Sequence, residues 1–157
     1  MQFEHLIEIN DPLNPLMVTI SRQQLWQGLV LRAESPGLFM PHLDECTLRR
    51  EGDALLRCLR FGKLEVFDSV TFEPMQRVVY DVAAQNEITQ SRLCMSIEEP
   101  APGQLYVRFE YSDSQSPAQD GANAMYDDFR RSAYKEADID TIHIIREWAE
   151  QGRLTLS

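Results

Sequence analysis

The sequence predicts an α+β fold in which a curved antiparallel sheet of about seven strands wraps around a long C-terminal helix. Three observations lead to this prediction: a strand and then a helix near the N-terminus, a run of short strands joined by tight turns, and a long final amphipathic helix. A curved sheet with only one other large element buries its concave face by wrapping around that element. The chain of 157 residues contains no linker-like stretch and suits a single domain, residues 1–157.

The N-terminal segment predicts a strand followed by a helix. Residues 3–9 alternate between apolar or aromatic side chains and polar ones, which is the period of a strand with one buried face. The stretch NDPLNP ends this strand. Ser21 and Gln24 then have the S-x-x-Q spacing of a capping box, ahead of LWQGLVLRAE, whose apolar residues recur at helical intervals. We expect this helix to end near ESPG.

The middle of the chain, about residues 44–111, predicts one meandering antiparallel sheet. The strand-like segments are ECTLRR, ALLRCLRF, LEVFDSVTF, QRVVYDVAA, SRLCMSIEE and QLYVRFEY. The turn sequences between them are typical of antiparallel hairpins. The polar stretch SDSQSPAQDGANA predicts a mobile loop, and Ala122 to Glu150 predict a long helix that ends before Gly152.

The charge balance argues against two classes of partner. The chain has 15 Lys and Arg against 25 Asp and Glu, a formal net charge of -10. Such a surface repels phosphate backbones and anionic lipids, so we expect neither nucleic acid nor membrane as a partner. The N-terminus carries Glu4 and Glu8 where a signal peptide needs an unbroken apolar core, and no apolar run approaches a membrane span. We expect a cytoplasmic protein.

The cysteines do not predict a metal or redox site. Cys46, Cys58 and Cys94 are odd in number and widely spaced, and they form neither a C-x-x-C nor a Cys/His ligand pattern. We expect buried free thiols in a reducing compartment.

Four separated motifs resemble the AtaL-like family of unknown function: FEHLIEINDP, LWQGLVLRAESP, SIEEP and SAYKEADIDTI. That family lies in the helix-grip (SRPBCC) superfamily, with START lipid-transfer domains, plant Bet v allergens and aromatic polyketide cyclases. The resemblance runs nearly end to end and implies a helix-grip fold with a ligand cavity between the sheet and the long helix. It implies no particular reaction, because members of the superfamily range from carriers to enzymes.

A helical wheel of the C-terminal helix predicts which side packs on the sheet. With Tyr126 at zero and about 100° per residue, Ala133, Ala137, Ile144 and Trp148 fall within roughly 40° of it. We expect this arc to contact the sheet. Its unusual width also suggests a surface for self-association.

Polar residues of the same helix fall into two groups. Tyr134, Asp138 and Thr141 border the apolar arc and are predicted ligand contacts, although Asp138 at about 120° would also fit the solvent margin. His143 falls at about -100° among acidic residues and is expected to be a solvated surface residue. The D-x-x-H spacing from Asp140 has no third ligand of comparable placement, so no metal site is expected.

The strands supply a second set of polar candidates. Asp68 completes an otherwise apolar face of LEVFDSVTF, and an inward carboxylate is costly unless it is paired or faces a wet cavity. Asp68 is therefore a pocket candidate, with an outer face or a bulge as the alternative. Arg57 and Arg60 lie on opposite faces of one strand, and an inward arginine would pair with Asp68 or bind a ligand carboxylate. His5 shares its face with apolar residues and is either a core histidine or a catalytic candidate.

Three more residues on apolar strand faces, Tyr80, Met95 and Phe109, are predicted cavity contacts. The sequence has no G-x-S-x-G, no Gly-rich phosphate loop and no H-E-x-x-H, so we expect no cofactor.

These residues support three hypotheses. The first is a binding protein for a small hydrophobic or aromatic metabolite. The second is a cyclase or dehydratase acting on a polyketide-like or aromatic substrate, with His5, Asp68, Tyr80 or Asp138 as general acid or base. The third is an interaction module that forms a homodimer through the apolar arc or a strand edge.

Overall fold

The protein forms one seven-stranded antiparallel sheet with two helices against its inner face. The structure, a computed structural model, describes residues 1–114 and 121–154. Its elements are β1 (Gln2–Asn10), α1 (Arg22–Glu34), a short 3-10 helix (Pro36–Leu38), β2 (Glu45–Glu51), β3 (Ala54–Phe61), β4 (Leu64–Glu73), β5 (Arg77–Val82), β6 (Ser91–Ala101), β7 (Gln104–Asp113) and α2 (Gly121–Glu150). The predicted α+β class is confirmed.

The order of the strands places the N-terminal strand beside the last one. They lie in the order β1-β7-β6-β5-β4-β3-β2, so the N-terminal strand closes onto the last one and β1 and β2 form the two edges. Strand residues alternate between the two faces, and the inward ones pack with apolar residues of α1 and α2 in a single core. This arrangement leaves the space between helices and sheet as the interior of the fold.

The start and end of α1 follow the local sequence. The Ser21 hydroxyl accepts a hydrogen bond from the Gln24 backbone N–H at 3.0 Å, and the Gln24 side chain accepts one from the Ser21 N–H at 2.9 Å. The predicted capping box is therefore confirmed. The helix ends at Glu34, just before Pro36, which starts the 3-10 helix.

The two helices approach each other closely at Gly28 of α1. A Cβ atom at this position would lie 2.5 Å from Cγ2 of Ile145 in α2, much closer than van der Waals contact allows. The absence of a side chain at Gly28 thus lets α2 seat the buried Ile145 against α1.

The predicted contact face of α2 is wrong: the observed face is rotated about the helix axis by about 100°, the angle between successive residues. Ala133 and Ala137 are exposed, and Tyr126 is 60% exposed. The buried residues instead centre near 100° on the same wheel, and they are Asp138, Thr141, Ile142, Ile145 and Ala149. The wheel weights every residue of α2 equally, whereas the fully buried side chains among those described all lie in its second half.

The remaining expectations concern the loop, the cysteines and the membrane. The predicted loop SDSQSPAQDGANA includes the end of β7 and the start of α2, and its residues 115–120 lie outside the described residues. The three free cysteines are half-buried rather than buried. Among the residues described, no helix is long and apolar enough to cross a membrane.

Candidate functional site

A cavity of about 200 Å³ lies between the inner face of the sheet and the two helices. Its floor includes Tyr80, Leu93 and Tyr111, which are directly opposite one another on β5, β6 and β7. Arg32 of α1 and Tyr134 of α2 lie on its helical side. The apolar walls are Met40, Val82 and Leu93, and further polar lining comes from Arg57, Asp68 and Arg92 among others.

Two larger concavities lie mainly on the outer face of the sheet. One, of about 530 Å³, is lined by residues of β2 to β4 that include the exposed Phe67, and the other, of about 500 Å³, includes Gln2 and Glu4 of β1. Arg57 and Asp68 line the first of these as well as the inner cavity. The inner cavity is the better candidate site because Arg32 and the buried Tyr80 line it and neither outer concavity, and a few polar groups in one enclosed space orient a ligand.

Tyr80 is the most unusual residue of the cavity wall. It is 4% exposed, and its hydroxyl has no hydrogen-bond partner among the described residues. The guanidinium carbons of Arg32 and Arg57 each lie 5.0 Å from the centre of its ring, within the range of cation–π contacts. A buried hydroxyl left without a partner costs about 1–3 kcal/mol, and this one belongs to a residue that lines the cavity.

Arg57 and Asp68 form a buried ion pair next to Tyr80. Nε of Arg57 donates to Oδ1 of Asp68 at 2.8 Å and Nη2 donates to Oδ2 at 2.6 Å, while Nη1 donates to the Ala33 carbonyl at 3.0 Å. The inward placement of Asp68 is confirmed, and so is its pairing with an inward arginine; Arg60 points outward to Glu45. Burial lowers the pKa of Arg57, but the hydrogen bond and charge of Asp68 outweigh it and the pKa is raised. Arg57 is therefore charged, and it binds both carboxylate oxygens of Asp68.

A second buried polar cluster lies behind Tyr111 and is centred on Asp138. Nε2 of His5 lies 2.7 Å from Oδ2 of Asp138, and the Tyr111 hydroxyl donates to both carboxylate oxygens at 2.7 Å. Asp138 is 0% exposed, so its placement at the solvent margin is excluded. The ring of Tyr111 stacks on Tyr134 with centroids 4.0 Å apart, and His5 stacks on Phe109.

The protonation of this cluster depends on its burial. Burial raises the pKa of Asp138 above its ordinary value, although the hydrogen bonds from Tyr111 and His5 and the charge of Arg32 oppose the rise. Burial, and then the charge of Asp138, raise the pKa of Tyr111 well above its usual range. Tyr111 therefore remains protonated and acts as a hydrogen-bond donor.

The raised pKa of Asp138 predicts a definite pH dependence of stability. The folded state holds this proton more tightly than the unfolded chain, whose Asp pKa is about 3.9. The stabilisation from the group is full below that value and is lost as pH rises through the folded pKa. We expect the free energy of unfolding of the wild type, relative to Asp138→Asn, to fall as pH rises from about 4 to about 7.

Urea unfolding of both proteins at several pH values measures this difference. Asp140→Asn removes one carboxylate from the exposed side of the same helix and serves as the matched control. A relative stability that rises with pH would contradict the prediction.

The predicted ligand contacts divide into those that line the cavity and those that do not. Tyr80 and Tyr134 line it. Thr141 lies behind the wall, where its hydroxyl accepts a hydrogen bond from Nε of Arg32 at 3.4 Å, and Asp138 lies behind Tyr111. The structure places the other two, Met95 and Phe109, in the packed core rather than at the cavity.

Two other residues of the candidate predictions are now placed. His5 is neither a cavity residue nor a solvated one, because its side chain is 14% exposed and is bound to Asp138. His143 is exposed as predicted, and it contacts Glu147. Within residues 1–114 and 121–154, no group of three or more His, Cys, Asp or Glu side chains is arranged to hold a metal ion.

Sequence reasoning missed Arg32 and Tyr111. Arg32 follows Leu25 and Leu29 at the helical intervals of the buried stripe of α1, which was a readable signal for an inward cation. Tyr111 shares the parity of the buried Phe109 on β7 and was assigned only to an apolar face. Neither pattern predicts the long-range contacts, which are Arg32 with Tyr80 and Tyr111 with Asp138.

Comparison with solved structures supports the same fold. The di-domain ARO/CYC StfQ from the steffimycin biosynthetic pathway matches with a TM-score of 0.71 and 10% identity, over 96% of this chain and 50% of that one. The Zhui aromatase/cyclase from Streptomyces sp. R1128 matches with a TM-score of 0.61 and 10% identity, over 96% and 94%. The Aha1 dimer from Colwellia psychrerythraea matches with a TM-score of 0.57 and 13% identity, over 88% and 91%. The chain thus spans about half the length of the di-domain protein, and identities this low show the fold alone.

Sequence comparison places the chain more narrowly. No curated protein matches it. The AtaL family, described as "Acetylaranotin biosynthesis cluster protein L", matches residues 7–152, which is nearly the whole chain and includes every residue of the two polar clusters except His5. The protein therefore has a helix-grip fold and belongs to the AtaL family.

Proposed function

We propose that the protein binds a small aromatic or hydrophobic molecule in the inner cavity. The Tyr80 hydroxyl is the observation that carries this proposal, because Tyr80 lines the cavity and its buried hydroxyl has no partner among the described residues. A ligand oxygen or nitrogen next to Tyr80 would supply the missing hydrogen bond and remove the cost of leaving the hydroxyl unpaired.

The size and walls of the cavity limit the ligand. Sites for drug-sized molecules usually have volumes of about 300–1,000 Å³, whereas an apolar cavity of about 150 Å³ takes benzene. A volume of about 200 Å³ therefore suits one ring with a few substituents. Met40, Val82 and Leu93 offer apolar contacts, and the stacked rings of Tyr111 and Tyr134 offer an aromatic surface.

A cyclase-like or dehydratase-like enzyme is the second candidate. The buried cluster of His5, Asp138 and Tyr111 favours it, since such groups transfer protons in many active sites, and two solved neighbours are described as aromatase/cyclases. Of the three, only Tyr111 lines the cavity, and its raised pKa makes it a donor rather than a base. Asp68 also lines the cavity, but Arg57 occupies both of its oxygens. Binding is therefore the function that the geometry supports better.

Native mass spectrometry of the protein purified from its own cells tests the proposal. We expect a co-purified small molecule of about one ring in size. Leu93→Trp fills the cavity and should abolish retention, whereas Leu6→Trp makes the same change on the exposed face of β1 and should retain the molecule. Equal retention by both variants, or a wild type that is always empty, would contradict the proposal.

Incubation of the same molecule with fresh protein separates binding from turnover. Recovery of the molecule unchanged supports the binding protein. Conversion by the wild type that is lost in Asp138→Asn, while binding persists, would establish the enzyme instead.

Homodimer formation stays a prediction. In the first half of α2, Met125, Tyr126 and Phe129 are exposed and form an apolar surface suited to self-association. One solved neighbour, Aha1, is described as a dimer. Light scattering that shows only monomer at high concentration would exclude this hypothesis.

A further inference from the structure

We infer that the cavity takes an organic anion, a single-ring carboxylate whose charged group is bound by Arg32 and the Tyr80 hydroxyl. This inference rests on the proposed function, since it names the class of ligand for the same cavity. It follows from which charged groups around the cavity already have partners and which do not.

Most charges of the cavity wall are neutralised by a neighbour. Arg57 and Asp68 form the buried ion pair described above. The amino group of Met1 lies 2.5 Å from Oδ1 of Asp113. Each of these cations therefore has a carboxylate, and each carboxylate has a cation.

The two remaining cations of the wall differ from each other. Arg92 is half-exposed, and its Nε lies 3.7 Å from Oδ1 of Asp81 on the outer side of the sheet. Arg32 has no carboxylate within 4 Å in the part of the chain that the structure describes, and its one hydrogen bond there is to the neutral hydroxyl of Thr141. Its charge acts on Asp138 and Tyr111 only at longer range.

The geometry of Arg32 leaves its donors available. Nε donates to Thr141, and the guanidinium carbon lies 5.0 Å from the centre of the Tyr80 ring. The two terminal nitrogens have no partner among the described residues and carry four N–H groups between them. The planar guanidinium matches the two oxygens of a carboxylate, so these donors suit that group better than a single neutral acceptor.

The Tyr80 hydroxyl adds a second donor in the same place. Its ring contacts the Arg32 guanidinium, so an anion bound by Arg32 lies beside the phenol. A hydrogen bond from a hydroxyl to an anion is stronger than one to a neutral acceptor. A neutral occupant accepts weaker hydrogen bonds from Arg32 than an anion does, and a cationic occupant is repelled by its charge, so both replace the lost hydration less well.

The rest of the cavity suits the ring. Leu93 and Val82 provide apolar walls, and the volume of about 200 Å³ leaves space for one ring beside the carboxylate. The chain has a formal net charge of -10, so long-range attraction does not favour an anion. Selectivity for the anion must then come from contacts inside the cavity, above all from Arg32.

Titrations of the full chain, followed by amide chemical shifts in NMR spectra, test the inference. The probes are benzoate, phenylacetate and cinnamate, each compared with its own uncharged amide at about pH 7. We expect at least one carboxylate to bind at least about tenfold more tightly than its amide, with the largest shifts at Arg32 and Tyr80.

Three variants assign the preference to its residues. Arg32→Met keeps the apolar stem but removes the charge, and it should weaken carboxylate binding by about tenfold or more while leaving amide binding unchanged. Tyr80→Phe should weaken carboxylate binding by about fivefold. Arg22→Met, on the same helix but bound to Glu99 and the Met75 carbonyl, is the matched control and should leave the preference unchanged.

The outcomes distinguish the preference for an anion from the proposed binding of a small molecule in the cavity. Equal binding of acids and amides, or a preference that survives in Arg32→Met, overturns the anion class while leaving the cavity as a ligand site. Failure of every probe to bind, together with an empty protein in native mass spectra, removes the proposed function and the anion class with it.

Discussion

Arg57→Met is expected to lower the free energy of unfolding by about 3–5 kcal/mol, because it leaves a buried carboxylate without its cation. Asp68 is 6% exposed and receives two hydrogen bonds from Arg57, at 2.6 and 2.8 Å. The substitution also removes the donor to the Ala33 carbonyl, which anchors the end of α1 to the sheet. The loss therefore combines an unpaired charge with an unpaired backbone acceptor.

Urea unfolding at neutral pH measures this effect, with Arg60→Met as the matched control. Arg60 lies on the same strand but is 41% exposed and contacts Glu45 at 3.2 Å, so its removal should cost about 0–1 kcal/mol. The double variant Arg57→Met with Asp68→Leu should recover most of the lost stability, since replacing both members of a buried pair by apolar residues is often neutral. A single variant that behaves like Arg60→Met would refute the assigned role of the pair.

Two tyrosines on the same cavity are expected to respond in opposite directions to loss of their hydroxyl groups. Tyr111→Phe removes a donor to the buried Asp138 and should lower the free energy of unfolding by about 1.5–3 kcal/mol. Tyr80→Phe removes a hydroxyl that has no partner among the described residues, and in the ligand-free protein it should raise the free energy of unfolding by about 1 kcal/mol.

Each variant is the control for the other, because both make the same chemical change on the inner face of the sheet, on strands β5 and β7 that flank β6. Urea unfolding of protein freed of ligand by refolding gives the two values. If Tyr80→Phe is destabilising to the same degree as Tyr111→Phe, the Tyr80 hydroxyl has a partner in the free protein and no longer supports a ligand there. A gain in stability with a loss in ligand binding is the pattern expected of a residue kept for function.

The strands were predictable because their signal is local. Side chains alternate across a strand with period two, so the parity of Asp68 with Val70 made it a candidate for the inner face, with an outer face or a bulge as the alternative. The same rule placed Arg57 and Arg60 on opposite faces, and the structure shows that Arg57 is the inward one that pairs with Asp68. The capping box of α1 was equally local, since both of its hydrogen bonds span three residues.

The contact face of α2 was not predictable in this way. The wheel centred the contact face on Ala133, Ala137, Ile144 and Trp148, yet the two alanines are exposed and the other two residues are half-buried. The buried face of the helix instead contains Asp138, a charged residue that a search for apolar residues does not find. Its burial is tolerated because His5 and Tyr111, more than 25 residues away in sequence, supply its hydrogen bonds.

Residue periodicity and turn chemistry thus established the sheet, the two helices and the inward set of strand residues, because these depend on neighbours within a few positions. Tertiary packing alone decided the rotation of α2, the partners of Asp138, and the meeting of Arg32 with Tyr80 at one cavity. Those outcomes depend on which polar groups from distant segments form hydrogen bonds and ion pairs in the interior. Such long-range pairing leaves no periodic pattern in the sequence.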